Sequence, residues 1–131
     1  MKQPLWIEER DVLALDDRLL ALHGGAAGLR DRNLLQSALA RPQQYFAYSE
    51  SPDMIGMAAA YTAGIVRNHP FVDGNKRTGF VVGILFLEVN RYRFTASQED
   101  AARAVLDLAG GNIDEESYIA FLRANSSSLK K

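Results

Sequence analysis

Apolar residues return every three or four positions along most of this chain. Val12, Leu15, Leu19 and Leu22 keep that spacing and predict an amphipathic helix from Glu8 to about His23. Gly24-Gly25 ends it, since glycine most easily takes the left-handed cap conformation. Asp31 is a good N-cap for a second helix with Leu34, Leu35, Ala38 and Leu39 on one side, and Pro42 marks its end. Ser51-Pro52-Asp53 predicts a third start, with Ser51 as the cap and Pro52 at the first helical position. That helix runs to about Asn68, and Gly56, Ala58, Ala59, Ala60, Ala63 and Gly64 would let another helix approach closely. A fourth helix, Asn75 to Val89, takes Asn75 as its cap and Asn90 as its stop. Val81, Val82, Ile84, Leu85, Phe86 and Leu87 make it apolar nearly all round, the mark of a central buried helix. A buried strand competes for that run, but no partner strands are evident.

Ser97 with Asp100 resembles a capping box and opens a fifth helix through Ala101, Ala104, Val105 and Leu108, ended by Gly110-Gly111. A last helix follows Asp114, with Glu115 and Glu116 favouring the macrodipole of its first turn. It buries Tyr118, Phe121 and Leu122. Between these elements, Gln43 to Glu50 carries Tyr45, Phe46 and Tyr48 without helical spacing and reads as an ordered loop or a short extended flap. Arg91 to Thr95 suits a short extended piece, and the polar tail over 126–131 is expected to fray. No internal repeat or linker divides the chain. The expectation is one all-α domain over 1–131, with six helices, a central buried helix and a short flap.

Composition narrows the classes. The length suits a single domain able to bury roughly two thirds of its unfolded surface. A formal net charge of -1 argues against general nucleic-acid affinity. With no cysteine there is neither a disulfide framework nor a thiolate nucleophile. Acidic residues stand where a secretory signal would keep its apolar stretch, and no run approaches the ~20 apolar residues of a membrane span. A cytoplasmic protein is expected.

The chemistry gathers in Asn68-His69-Pro70-Phe71-Val72-Asp73-Gly74-Asn75-Lys76-Arg77-Thr78-Gly79. Amides at a helix start lack partners within the helix and carry about half a positive charge together. Gly74 lets the loop turn tightly there without a side chain in the way. Lys76 and Arg77 add full charges at an end where cations are locally unfavourable, and a bound phosphate would explain them. Asp73 could hold Mg²⁺ against a nucleotide. Histidine titrates near neutrality, so His69 can accept a proton from a hydroxyl. Phe71 suits a buried anchor. Taken singly, each has an ordinary reading: a polar cap, an Asp-Gly-Asn turn, a solvated pair of cations. The combination in this order points to phosphate transfer. No G-x-x-x-x-G-K-[ST] loop is present. The two histidines, His23 and His69, lie far apart and make zinc an unattractive reading. Arg91-Tyr92-Arg93-Phe94 is a faint nucleic-acid signal and more commonly a junction between elements.

His69 to Arg77 resembles the Fic-family signature H-P-F-x-[D/E]-G-N-[G/K]-R. The Doc (death-on-curing) branch of this Fic/Doc (Fido) family is the nearer likeness, supported by Gly24-Gly25-Ala26-Ala27-Gly28-Leu29-Arg30-Asp31 running into Leu34 to Pro42. The likeness covers roughly 5–123. Lys76 stands where AMP-transferring Fic enzymes have glycine, and Phe80 where they have a second arginine. Both departures are typical of Doc-like members, and they favour a nucleotide presenting its γ-phosphate.

The resemblance implies a toxin that is a protein kinase, using ATP and Mg²⁺ to phosphorylate a threonine of elongation factor Tu and stall translation. His69 would be the base, and Asp73 would hold Mg²⁺ or orient the site. Gly74, Asn75, Lys76 and Arg77 would bind phosphate, and Phe71 would anchor the loop. Gln43 to Glu50 would be the flap that aligns the target chain. No glutamate is followed by glycine or asparagine, so the family's built-in inhibitory helix motif is missing. Restraint would come in trans from a small Phd-like antitoxin, with no direct role for nucleic acid or membrane. AMP transfer to a protein hydroxyl is the alternative activity, and a catalytically silent binding domain the alternative class.

Overall fold

The computed structural model describes residues 2–129, which form six helices and two short strands in the order α1 (Glu9–His23), α2 (Arg32–Tyr48), α3 (Met54–Asn68), α4 (Asn75–Val89), β1 (Tyr92–Phe94), α5 (Gln98–Ala109), α6 (Glu115–Ala124) and β2 (Ser126–Ser128). None of these helices is long and apolar enough to cross a membrane.

The innermost element is α3, not α4. Every residue from Ile55 to Val66 is buried, whereas α4 alternates buried positions (Val82, Phe86, Leu87) with half-buried ones (Val81, Ile84, Leu85). The cause is side-chain size. A Cβ on Gly64 would stand 3.1 Å from Ala38 Cα of α2. On the other side, one on Gly83 of α4 would stand 2.9 Å from the Ala58 carbonyl oxygen of α3. Such small surfaces let α2 and α4 close on α3 from both sides. The bulkier apolar side chains lie in α4, over Phe80 to Leu87, but surrounding helices bury the alanines and glycines of α3 more completely.

Three local expectations are corrected. First, α2 continues through Pro42 to Tyr48, so Gln43 to Glu50 is not a flap. Proline removes the bond to the Ala38 carbonyl and strains a helix interior. Tertiary anchors hold the last turns nonetheless: Arg41 donates to the Ala60 carbonyl and pairs with Glu115 at 2.8 Å, Phe46 meets Trp6 edge-on, and the Tyr45 hydroxyl bonds Asp53. Second, Asp53 caps α3 in place of Ser51, its Oδ1 accepting the Gly56 N–H at 2.8 Å and its Oδ2 meeting Arg123. Third, Ser126–Ser128 form a strand. They pair antiparallel with β1, Phe94 opposite Ser126 and Tyr92 opposite Ser128, so the all-α architecture carries a small ribbon. Lys130 and Lys131 lie outside the described residues.

The amino-terminal segment lies across the middle of α3 and the end of α4 farthest from the motif loop. The Tyr61 hydroxyl accepts the Ile7 N–H and donates to the Ile7 carbonyl, and its burial pushes its pKa up to about 12. Asn90 exchanges two hydrogen bonds with the Leu5 backbone. Trp6 stacks on Phe86, with ring centroids 6.0 Å apart.

Candidate active site

The motif loop joins the C-terminus of α3 to the N-terminus of α4. His69 is the C-cap of α3, exposed and in the left-handed conformation at φ 52°, ψ 56°. The chain then dives inward at Pro70 and Phe71, both buried, and re-emerges at Val72 and Asp73. Asn75 holds the inward turn: its Oδ1 accepts the Phe71 N–H and its Nδ2 donates to the Phe71 carbonyl, both at 3.0 Å. Gly74, at φ 77°, is therefore the N-cap of α4, and Asn75 is its first residue rather than its cap. The Asn75 side chain is engaged by the loop backbone. What remains open to an anion is its backbone amide, one of the N–H groups of the first helical turn that have no partner within the helix.

A second segment runs alongside the loop. Leu29 forms an antiparallel bridge with Phe71, and the Val72 N–H donates to the Gly28 carbonyl at 3.0 Å. The amides of Arg30 and Asp31 both donate to the Pro70 carbonyl. The Arg30 guanidinium reaches two further carbonyls, those of Asn68 and His69. Gly25 lies so close to the loop that a Cβ there would stand 2.9 Å from Asp73 Oδ2. Thus 24–31 packs beside His69. The expected flap at Gln43 to Glu50 lies instead by Asp53 and Gly56, at the other end of α3, roughly 20 Å of helix away.

Asp73 is exposed. Its Oδ1 accepts the Gly74 N–H at 2.9 Å and its Oδ2 the Ala26 N–H at 3.3 Å. Lys76 is exposed on the first turn of α4. Arg77 folds back over Gly74, its Nη2 donating to the Gly24 carbonyl at 3.4 Å. Its Nε is buried and has no hydrogen-bond partner among the described residues. Beneath it lies Asp16, 2 % exposed, whose Oδ1 accepts the Thr78 hydroxyl at 2.8 Å. Burial pushes the Asp16 carboxyl above the usual carboxylate range, against the Thr78 hydroxyl and the Arg77 charge, which favour its ionised form.

Among the described residues, no group of three or more histidines, aspartates or glutamates is placed to hold a metal. The accessible carboxylate of Asp73 fits an Mg²⁺ arriving on nucleotide phosphates, since that ion commonly takes one or two carboxylates and completes its shell with phosphate and water. The orphaned Arg77 Nε, beside unpaired helix amides, fits the phosphate itself. Next to these cations opens an apolar groove of about 530 Å³, lined by Phe80, Ile84, Phe94, Ala101, Val105 and Leu106, with Lys76 and Arg77 also on its wall.

Of the residues picked out in sequence, His69, Asp73, Gly74, Lys76 and Arg77 flank one loop, while Phe71 and the Asn75 side chain face inward. Two residues of the site were missed. Asp16 had a readable signal: it follows Val12 and precedes Leu20 at four-residue spacing, a carboxylate on a buried stripe. Arg30 had none, because its targets are backbone carbonyls nearly forty positions away.

These arrangements define a helical domain with two cations on the first turn of one helix and a histidine on the cap of the helix before it. Residues 6–87 match the model of the Fic/DOC family. The chain is 32 % identical over 117 residues to the protein kinase doc of Escherichia phage P1, covering 89 % of this chain and 92 % of that one. It is 35 % identical over 92 residues to the toxin Doc of Mycolicibacterium smegmatis, covering 70 % and 68 %. The chain belongs to the Fic/DOC family.

Proposed function

We propose that this protein is a Doc-type toxin that transfers the γ-phosphate of ATP to a threonine hydroxyl of elongation factor Tu in the cytoplasm, arresting translation. The observation that carries the reading is the buried Nε of Arg77, without a hydrogen-bond partner among the described residues, at the amide-rich start of α4 and one short loop from His69. The similarity to a protein kinase doc along most of both chains supports phosphoryl transfer, and Lys76 in the motif favours presentation of the terminal phosphate.

In this reaction His69 takes the proton of the acceptor hydroxyl, whose oxygen forms a bond to the γ-phosphorus. The bond from that phosphorus to the β–γ bridging oxygen breaks, and its electron pair leaves on ADP. Arg77, Lys76 and the first amides of α4 hold the phosphate oxygens and stabilise their charge, the main task of a protein in a largely dissociative transfer. Asp73 would hold Mg²⁺, which supplies charge neutralisation on the phosphates. Phe71 and Asn75 fix the loop. A small Phd-like antitoxin restrains the enzyme, and the apolar groove beside Lys76 suits an amphipathic segment that folds on binding.

The test incubates the chain and its His69→Ala variant with elongation factor Tu, Mg²⁺ and ATP labelled at the α or the γ phosphate. Transfer of γ label alone, lost in His69→Ala, is the expected result. Transfer of α label would move the protein to AMP transfer. Transfer of neither label to this or other protein substrates would overturn the enzymatic reading and leave a silent binding domain.

A further inference from the structure

Three successive carbonyls around His69 are gripped by one residue. Arg30 Nη2 donates to the Asn68 carbonyl at 3.0 Å, Arg30 Nε to the His69 carbonyl at 2.7 Å, and the Arg30 amide to the Pro70 carbonyl at 2.7 Å. The Asp31 amide adds a second bond to Pro70 at 3.0 Å. We infer that Arg30 is a positioning residue for His69, a clamp that sets where the imidazole stands relative to the first turn of α4. The inference rests on His69 being the base of the reaction proposed above.

Several observations converge on this role. His69 has a left-handed backbone, a conformation uncommon for a residue with a side chain, and the carbonyls of Asn68, His69 and Pro70 are all held from outside the loop. Asn68 and His69 offer the open carbonyls at the end of α3, the negative pole of that helix, where a cation is favoured. A guanidinium is a planar fork that can take two acceptors at once, whereas an ammonium is a point charge with no such registry. The fork is itself firmly mounted, because the Leu29–Phe71 bridge and the Val72-to-Gly28 bond tie its segment to the far side of the loop.

Arg30 is also separable from the core. It is exposed, and among the described residues its side chain bonds only these two loop carbonyls. Phe71 keeps its independent hold through Asn75. Losing Arg30 therefore leaves the buried turn in place and releases the orientation of His69. Releasing a catalytic group by about 1 Å lowers turnover by roughly 10²-fold without weakening ground-state binding.

The experiment compares wild type, Arg30→Ala and Arg30→Lys by γ-phosphate transfer, by thermal unfolding and by the histidine ring carbon–proton NMR correlations. The chain has only two histidines, so the His69 signal is the one lost in His69→Ala. In Arg30→Ala, kcat should fall about 10²-fold at unchanged KM for ATP. The His69 signal should move or broaden while that of His23 stays. Arg30→Lys should recover only part of kcat, since one ammonium cannot take both carbonyls in the same registry. An unmoved His69 signal with wild-type kcat overturns the clamp. So does a loss of kcat that tracks a fall in the unfolding midpoint with both histidine signals displaced, since Arg30 would then be merely structural. Should wild type itself transfer no phosphate, the proposed function fails separately and the ring signals decide: a displaced His69 supports the clamp, and an unmoved one overturns it.

Discussion

Replacing Asn75 with alanine removes the side chain that holds the buried turn of the motif loop from within. Asn75 is 7 % exposed and Phe71 2 %, and the two hydrogen bonds between them measure 3.0 Å each. Truncation leaves the Phe71 N–H and carbonyl facing a protein interior, at about 1–3 kcal/mol for each unsatisfied group. Partial relaxation of the loop reduces the sum, so the expected loss is roughly 2–4 kcal/mol. With an unfolding entropy of about 2 cal/mol/K per residue, the midpoint should fall by roughly 7–14 °C.

Asn75→Asp sharpens the test. The introduced carboxylate can still accept the Phe71 N–H, but it has nothing to donate to the carbonyl and repels it. When protonated it can donate. Burial and the facing carbonyl raise the pKa of this carboxyl in the folded state above its unfolded value of about 3.9. Its stabilising contribution is then complete below the unfolded pKa and is lost as pH rises through the folded one. Far-UV circular dichroism melts of wild type and both variants between pH 4 and 8 provide the measurement. An alanine variant within about 0.5 kcal/mol of wild type, or an aspartate variant that follows wild type at every pH, would refute the two-bond clamp.

Asp16 carries the same sign in the native chain. Its carboxyl is raised by burial, so its contribution to stability is present in acid and declines as pH rises through the folded pKa. Asp16→Asn keeps an acceptor for Thr78 and removes the charge; it should melt higher than wild type at pH 7, with the gap closing toward pH 3, and a gap constant with pH would refute the assignment. Gly83→Ala should destabilise in urea titrations, because overpacking at about 1–3 kcal/mol exceeds the ~1 kcal/mol of helix propensity gained. Adding Thr62→Ala should not restore stability, since the Ala58 carbonyl oxygen, 2.9 Å from the new Cβ, belongs to the backbone. Lys76→Gly should weaken transfer of γ label and admit α label; no change in either product would mean that Lys76 does not set nucleotide orientation.

What the chain reveals in one dimension follows the range of the interaction. Asp31, Ser97 and Asp114 each cap a helix through the amide three residues on, so those starts were legible. Gly24-Gly25 and Asn68 marked ends for equally local reasons. Pro42 misled, because the anchors that carry α2 past it come from Ala60 and Glu115 in other helices and from Asp53, the cap of α3. Ser126 to Ser128 looked like a tail because strand pairing with Tyr92 to Phe94 uses backbone groups that any side chain leaves available. At the site, the motif disclosed which residues cluster. It did not disclose that the Asn75 amide faces Phe71, nor that the 24–31 block frames the loop.

The placement of Trp6 has a spectroscopic consequence. It is the chain's only tryptophan, and it stacks on Phe86, eleven residues along α4 from Asn75 and hence about 16 Å of helix from the motif loop. Its emission is a built-in gauge of whether the amino-terminal segment stays packed on α2 and the far end of α4, and it is too distant for direct quenching by a nucleotide at the loop. A ligand seated at the loop should leave the fluorescence unchanged while denaturant shifts it to the red. Any change on adding nucleotide would therefore report α4 moving as a rod, with the indole reading its opposite end.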